Sequence, residues 1–432
     1  MVLNFSPQAL TVTPVAKLGG DEFTFRVPSD KSLTHRAIIF ASMAQGVTTI
    51  AEPLWGEDCR HTLGAFRALG CKVEPLPEVD TAPDTITVTS PGINHWLSPM
   101  TPLDFGNSGT TARLLTGLFA ARPGLFVTAF GDPSLSRRPM GRVVKPLIQW
   151  GAKIDGRDGA GYLPLAISGQ ELVAERSRVV VDKASAQVKS ALLLAAMQSP
   201  GSSQIELPQG ARNHTEVFLQ KFGAELQIEL EGSREIITLG GAVTPSPGHY
   251  RIPADPSSAA FFAAVAALFP GTTMVLESVL DNPTRCGFVD VLARMGLTVE
   301  KTPMEGSQTF VETTVDLRLT LEGRLKATTI RAGEIPSLID EIPILAVIAA
   351  HAEGLSRFCG LGELRVKESD RLTKTAELVE AGGGKVEIRG DDLMIFGNPQ
   401  LAREGFQYDP VHDHRLAMAA SVWGLTGKEP CQ

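Results

Sequence analysis

Five times along the chain a short polar knot opens directly into an Ala-rich apolar run, and a second helical stretch then stops at a glycine ahead of a short alternating strand. The knots are Asp30-Lys31-Ser32, Asn107-Ser108-Gly109-Thr110, Ser185-Ala186-Gln187, Asp255-Pro256-Ser257-Ser258 and Ile339-Asp340-Glu341. Asp413-His414-Arg415 opens an unfinished sixth copy. Their spacing of roughly 75 residues is longer than common solenoid repeats and suits one α/β unit per copy. A helix start exposes unpaired N–H groups and about half a positive charge, so several starts converging on one cleft would bind an anion-rich ligand.

The 432 residues exceed what one hydrophobic core supports, so two domains of roughly 200 residues are expected. Hydrophobic residues make up 43% and charged residues 20%, the balance of a well-packed globular protein. A net charge of −8 argues against a nucleic-acid or anionic-membrane partner, because nothing global attracts a polyanion. Local clusters of Arg and Lys must hold any anionic ligand. The cysteines, Cys59, Cys71, Cys286, Cys359 and Cys431, are odd in number and form no CxxC pair, which fits free thiols in a reducing compartment. The first residues carry no basic stretch ahead of an apolar one, and no apolar run approaches the roughly 20 residues of a membrane helix. A soluble, cytoplasmic protein is expected.

Each copy reads as helix, strand, helix, strand. Ser32 to Ala44 is a helix ending at Gly46, and Val47-Thr48-Thr49-Ile50 is the strand that follows. The second helices stop at Gly70, Gly151, Gly223, Gly296 and the Gly382-Gly383-Gly384 cluster, as the left-handed position after a helix requires. The first helices are apolar on most sides, as in Ala191 to Ala196 and Ala259 to Leu268, so they belong inside each domain. Domain cuts near Arg26 and Ile252 place residues 27–252 in one domain. Residues 1–26 and 253–432 form the other.

Lys31 and Ser32 stand at a helix start with Arg36 about one turn on, so a cation, a hydroxyl and exposed N–H groups can share one phosphate or carboxylate; ordinary capping with a solvated Arg36 is the alternative. Arg365-Val366-Lys367-Glu368-Ser369-Asp370-Arg371 is either a solvated charged face or a loop aiming Glu368 and its cations into a cleft. Arg138, Gln187, Arg212, Asp340 and Arg415 each open or precede a helix. Together these residues suit a substrate with phosphates and carboxylates undergoing proton transfer. Gly382-Gly383-Gly384-Lys385 lacks the Ser/Thr and spacing of a phosphate loop, and His412 with His414 lacks further metal ligands. No GxGxxG or GxSxG motif is present.

The ordered set Asp30-Lys31-Ser32-x-x-His35-Arg36, Gly106 to Thr110, Arg138-Pro139-Met140, Ser185-Ala186-Gln187, Leu338 to Pro343, Arg365 to Arg371 and Asp413 to Met418 resembles the 5-enolpyruvylshikimate-3-phosphate synthase family over almost the whole chain. The resemblance implies an α/β fold, a two-domain inside-out barrel of six inverse βαβαββ repeats. It implies transfer of the enolpyruvyl group of phosphoenolpyruvate to the 5-hydroxyl of shikimate 3-phosphate, with no metal or organic cofactor and with a monomer as the expected state. Lys31, Ser32, Arg36, Ser185, Ala186, Gln187, Arg212, Asp340 and Lys367 match the shikimate 3-phosphate set. Lys31, Gly109, Arg138, Gln187, Arg371 and Arg415 match the phosphoenolpyruvate set. On this resemblance 27–252 is mainly the shikimate 3-phosphate side, and the other domain carries the acid/base and further phosphoenolpyruvate residues. Asp340 corresponds to the base on the 5-hydroxyl, Glu368 to the acid that protonates the methylene carbon, and Lys31 to the group polarising the leaving phosphate's bridging oxygen. Gly109 lies where the inhibitor glyphosate fits, so sensitivity is expected.

The nearest rival, the sister family acting on UDP-N-acetylglucosamine, normally has a reactive Cys near an Arg-Pro pair, and Ser134 to Pro139 has none. A non-catalytic anion-binding paralogue would have no need to keep Asp340, Glu368 and Lys31 together. Ser29 and Ala254 stand where the family usually has Gly, which is expected to stiffen both loops. The chain stops at Gln432, where members commonly continue into a short Ser-Phe-Pro segment.

Overall fold

The computed structural model describes residues 3–5, 10–15, 18, 21–76, 82–173, 178–304, 311–401, 405–411 and 413–432. In chain order the main helices are α1 (Lys31–Met43), α2 (Glu57–Ala68), α3 (Gly109–Ala120), α4 (Gly141–Gln149), α5 (Ala186–Ala196), α6 (His214–Lys221), α7 (Pro256–Leu268), α8 (Gly287–Arg294), α9 (Ile342–Ala350), α10 (Arg371–Ala381) and α11 (His414–Leu425). Each odd-numbered helix begins at one of the polar knots. The side chains of Asp30, Ser108, Ser185, Asp255 and Asp413 each accept a hydrogen bond from a backbone N–H in the first turn of the helix they precede. Such a cap is worth about 1 kcal/mol and fixes where the helix starts. The fifth knot differs: Ile339–Glu341 forms a 3-10 turn leading into α9, with no side-chain cap.

α1, α3, α5, α7 and α9 are largely enclosed, whereas α11 is buried on one side only. Every residue of α9 is buried, and so are Leu33 to Met43 in α1. Each buried Leu, Ile, Val or Phe contributes roughly 1.5–3 kcal/mol. The even-numbered helices are one-sided: α2 buries Cys59, Thr62, Leu63, Ala65 and Phe66 and leaves Glu57 and Arg67 exposed. A glycine at positive φ follows them, from 78° at Gly223 to 107° at Gly296, where any Cβ would be strained. Gly117 has a different task. A Cβ there would lie 2.1 Å from the Ala191 carbonyl oxygen, so only glycine lets α3 and α5 approach this closely. Overpacking of this kind costs about 1–3 kcal/mol.

Contact density divides the chain into two units: Met1–Pro28 with Ala254–Glu305 and Thr313–Gln432, and Ser29–Pro253 with Gly306–Glu312. Among the described residues, five four-stranded sheets repeat one pattern, an edge strand parallel to the second and the other neighbours antiparallel. Three of them lie in the Ser29–Pro253 unit and two in the other. The strands ahead of α1 and α7 are exchanged between copies. Glu22–Phe25 lies parallel to Thr273–Leu280, and His249–Arg251 lies parallel to Gly46–Ala51. At these crossings Asp255 N–H donates to Pro28 O at 2.9 Å in one unit, and Asp30 N–H donates to Pro253 O at 2.8 Å in the other. Leu3–Phe5 pairs with Leu10–Val12, and Val12 bridges to Cys431. Among the described residues no helix is long and apolar enough to cross a membrane.

His35 sits wholly buried on α1, with Nδ1 2.7 Å from Thr62 Oγ1. Burial, reinforced by Lys31, pushes its imidazole down to about 3. A base whose pKa is depressed by folding takes up its proton more readily when unfolded, so stability is full above about pH 6.5 and falls as the pH drops towards 3. Urea titrations of the wild type and His35→Gln between pH 6.5 and 5 should therefore differ. The variant is expected to lose up to about 1.4 kcal/mol per pH unit of the wild-type slope; equal slopes would show that His35 does not titrate in this way.

Candidate functional site

The Ser29–Pro253 unit gathers cations and hydroxyls around the starts of α1, α3 and α5. Lys31, the first residue of α1, holds Asp58 on α2 through an ion pair of 3.0 Å. Burial raises the Asp58 carboxyl, but Lys31 outweighs it and leaves the net shift downward. Ser32 is the next residue, and Arg36 lies one turn further. Arg36 is not solvated. It is buried, donating from Nε to Thr215 Oγ1 at 2.8 Å, from Nη2 to Ser190 Oγ at 2.7 Å and from Nη1 to Ser32 O at 2.9 Å. Burial brings its guanidinium down to about 10, against the pull of Glu216 and Glu312.

Around α3 the contacts tie two more knots together. Arg138 Nη2 donates to Asn107 Oδ1 at 2.7 Å. Arg113, one turn into α3, donates from Nη1 to Gln187 Oε1 at 2.6 Å, and Gln187 Nε2 donates to Thr110 Oγ1 at 3.1 Å. Thus Gln187 on α5 is fixed by two residues of α3, while Ser185 caps α5 and Ala186 begins it. A Cβ on Gly109 would stand 2.8 Å from Arg113 Nη1 and 3.5 Å from Arg138 Nη1. Arg113 escaped the sequence reading, although its i+4 spacing from Gly109 places it on the same helix face. Burial, then the charges of Arg138 and Arg142, hold its guanidinium down at about 10. Arg212 follows Ala211 in the turn before α6 and is half-buried.

The other unit carries the carboxylates. Arg371, the first residue of α10, is 1% exposed and spans three of them: Asp413 at 2.9 Å, Glu368 at 2.7 Å and Asp340 at 3.3 Å. Arg415 lies 3.7 Å from the second oxygen of Asp340. Burial acts to raise Glu368, yet the Arg371 guanidinium and a backbone hydrogen bond prevail and hold it below the usual carboxylate range. Arg415 moves the other way: burial lowers it, but Asp340, Glu341 and Asp255 together raise it. Lys367 is exposed beside Glu368. Arg365 pairs at the surface with Asp370 and Asp391. The charged loop from Arg365 to Arg371 is therefore solvated at its start and buried at its end. His412 lies outside the described residues, and His414 opens α11.

The profile of the EPSP synthase (3-phosphoshikimate 1-carboxyvinyltransferase) family matches residues 14–432. The 3-phosphoshikimate 1-carboxyvinyltransferase of Acidiphilium cryptum (strain JF-5) is 44% identical over 408 residues, covering 94% of this chain and 88% of that protein. The enzyme of the same name from Synechocystis sp. (strain ATCC 27184 / PCC 6803 / Kazusa) is 41% identical over 420 residues, covering 97% and 91%. Among solved structures, EPSP synthase from Acinetobacter baumannii superposes with a TM-score of 0.83 at 36% identity, covering 98% of this chain and 92% of that one. The mixed α/β fold, the ordered knots and this near full-length similarity place the chain in the EPSP synthase (3-phosphoshikimate 1-carboxyvinyltransferase) family.

Proposed function

We propose that the chain transfers the enolpyruvyl group of phosphoenolpyruvate to the 5-hydroxyl of shikimate 3-phosphate and releases phosphate. The observation that carries this reading is the Arg371 guanidinium, which holds Asp340 and Glu368, a candidate base and acid, beside a second cation, Arg415. A protein that only bound anions would gain nothing from two carboxylates there. Lys31, Ser32, Arg36, Ser185, Ala186, Gln187, Arg212, Asp340 and Lys367 bind shikimate 3-phosphate. Lys31, Gly109, Arg138, Gln187, Arg371 and Arg415 bind phosphoenolpyruvate. Both ligands are multiply anionic, and charge-assisted contacts are the means of holding them.

In the reaction Asp340 accepts the proton of the 5-hydroxyl as its oxygen attacks C2 of phosphoenolpyruvate, while the methylene carbon takes a proton from Glu368. The product of this addition is a tetrahedral ketal phosphate. Glu368 then removes a proton from the new methyl group, the double bond re-forms, and phosphate leaves with its bridging oxygen polarised by Lys31. Glu368 rests as a carboxylate because Arg371 stabilises its charge. A phosphoenolpyruvate anion competing for Arg371 raises the Glu368 pKa and readies it to carry a proton. The five like sheets and the Asp413-capped last helix support six copies of one βαβαββ unit, wound as two inside-out barrels. The enzyme works as a cytoplasmic monomer without nucleic-acid or membrane partners.

Phosphate release by the purified protein tests the reaction directly. It is expected with shikimate 3-phosphate plus phosphoenolpyruvate and not with UDP-N-acetylglucosamine as acceptor. Glu368→Gln and Asp340→Asn should each lower kcat about 10²- to 10⁴-fold with modest changes in KM, and near-normal turnover in either variant would remove that residue from its role. Gly109→Ala should leave the fold intact, since the added Cβ meets only the ends of flexible Arg113 and Arg138 side chains. It is expected to raise the KM for phosphoenolpyruvate about tenfold, a loss of roughly 1.4 kcal/mol, and to weaken glyphosate inhibition with it. An unchanged KM would separate Gly109 from the phosphoenolpyruvate pocket.

A further inference from the structure

α5 is apolar from Ala191 to Ala196, yet it buries a lysine one turn after its start. Lys189 is 1% exposed, and an ammonium buried to that degree costs several kcal/mol unless its charge and donors are matched. Its Nζ lies 2.6 Å from Glu216 Oε1 on α6, 3.1 Å from Glu235 Oε1 on the strand Arg234–Leu239, and 3.0 Å from the carbonyl oxygen of Ala211. Glu216 is itself 3% exposed. Burial raises its carboxyl against the opposing charge of Lys189.

The neighbours of this cluster are what give it a function. Ala211 immediately precedes Arg212, so the Lys189 contact pins the peptide from which Arg212 projects. Ser190 and Thr215 stand next to Lys189 and Glu216 on the same two helices. Thr215 Oγ1 donates to Ser190 Oγ at 2.7 Å, and Arg36 donates to both. α5 and α6 are therefore joined by two adjacent rungs, one an ion pair and one a hydroxyl pair that receives Arg36. We infer that Lys189 is a positioning residue for shikimate 3-phosphate: through Ala211 and Glu216 it sets the placement of Arg212 and Arg36. This rests on the assignment of those two arginines to shikimate 3-phosphate made above. Stability alone does not call for such a cluster, because a well-packed apolar pair is commonly as stable as a buried ion pair or more so.

The test uses Lys189→Met, which leaves Glu216 and Glu235 without their cation, and the double variant Lys189→Met/Glu216→Gln, which removes the deeply buried pair, keeps the volume and leaves Glu235, 12% exposed, as the charge at the edge of the cluster. Each is melted, titrated calorimetrically with shikimate 3-phosphate alone, and assayed for the KM of phosphoenolpyruvate at saturating shikimate 3-phosphate. Displacing a binding group by about an ångström can cost up to 10²-fold, so shikimate 3-phosphate affinity is expected to fall about 10- to 100-fold in both variants. The KM for phosphoenolpyruvate should stay within about twofold, because Arg36 and Arg212 are assigned to shikimate 3-phosphate alone. The double variant should recover the melting temperature without recovering affinity. Recovery of affinity along with stability, unchanged affinity in the double variant, or equal weakening towards both substrates would overturn the inference. Arg212→Ala is the control. If it binds shikimate 3-phosphate like the wild type, the site assignment and this inference fall together; if it binds weakly while both Lys189 variants bind normally, only the inference falls.

Discussion

A helix that is apolar on every side must be enclosed on every side, and then only its ends can take part in chemistry. α11 is buried on one side only, but that constraint governs α1, α3, α5, α7 and α9. Their flanks are shut in by strands and by the one-sided even-numbered helices, so polar residues collect where each helix begins. Five of the six starts are capped by their own Asp or Ser, which satisfies part of the exposed N–H array and leaves neighbouring Lys31, Gly109, Gln187 and Arg415 beside it. Glycine serves the same constraint at Gly117, where α3 meets α5.

The two units hold their buried arginines differently. In the Ser29–Pro253 unit two guanidiniums are held by neutral groups, Arg36 by Thr215, Ser190 and Ser32 and Arg113 by Gln187, while Lys31 and Lys189 pair with carboxylates. Neutral partners fix a guanidinium without neutralising it, so its charge stays available to an anion. In the other unit Arg371 is surrounded by Asp340, Glu368 and Asp413, and its charge is spent on keeping those carboxylates ionised. The proposed division follows: one unit chiefly attracts anionic substrate, and the other supplies groups that exchange protons.

Local features were legible in the sequence and long-range ones were not. Capping acts over three residues, so Asp30, Ser108, Ser185, Asp255 and Asp413 announced their helices. Glycines after α2, α4, α6 and α8 announced where those helices stop. Arg36 stood out in the sequence as a candidate, but its burial did not, because Ser190 and Thr215 lie 154 and 179 positions away. Lys189 looked like an ordinary helical lysine for the same reason: Glu235 is 46 residues on, in a strand. Asp340 was read as another helix-opening residue, whereas its carboxylate turns to Arg371 and Arg415 and leaves α9 without a side-chain cap. The triple grip of Arg371 needed the fold, since Asp340, Glu368 and Asp413 come from three separate segments.

The most direct test of the account is whether Glu368 moves a proton on and off the methylene carbon. The wild type and Glu368→Gln would be run in deuterium oxide with both substrates, and the vinyl protons of the product read by NMR. Reversible protonation makes a methyl group bearing one solvent deuteron, and removal of any of its hydrogens leaves deuterium in part of the vinyl product. Deuterium there in the wild type, entering at a rate reduced together with turnover in Glu368→Gln, is the predicted result. A product vinyl group free of deuterium, or labelling at the wild-type rate in the variant, would contradict the role assigned to Glu368.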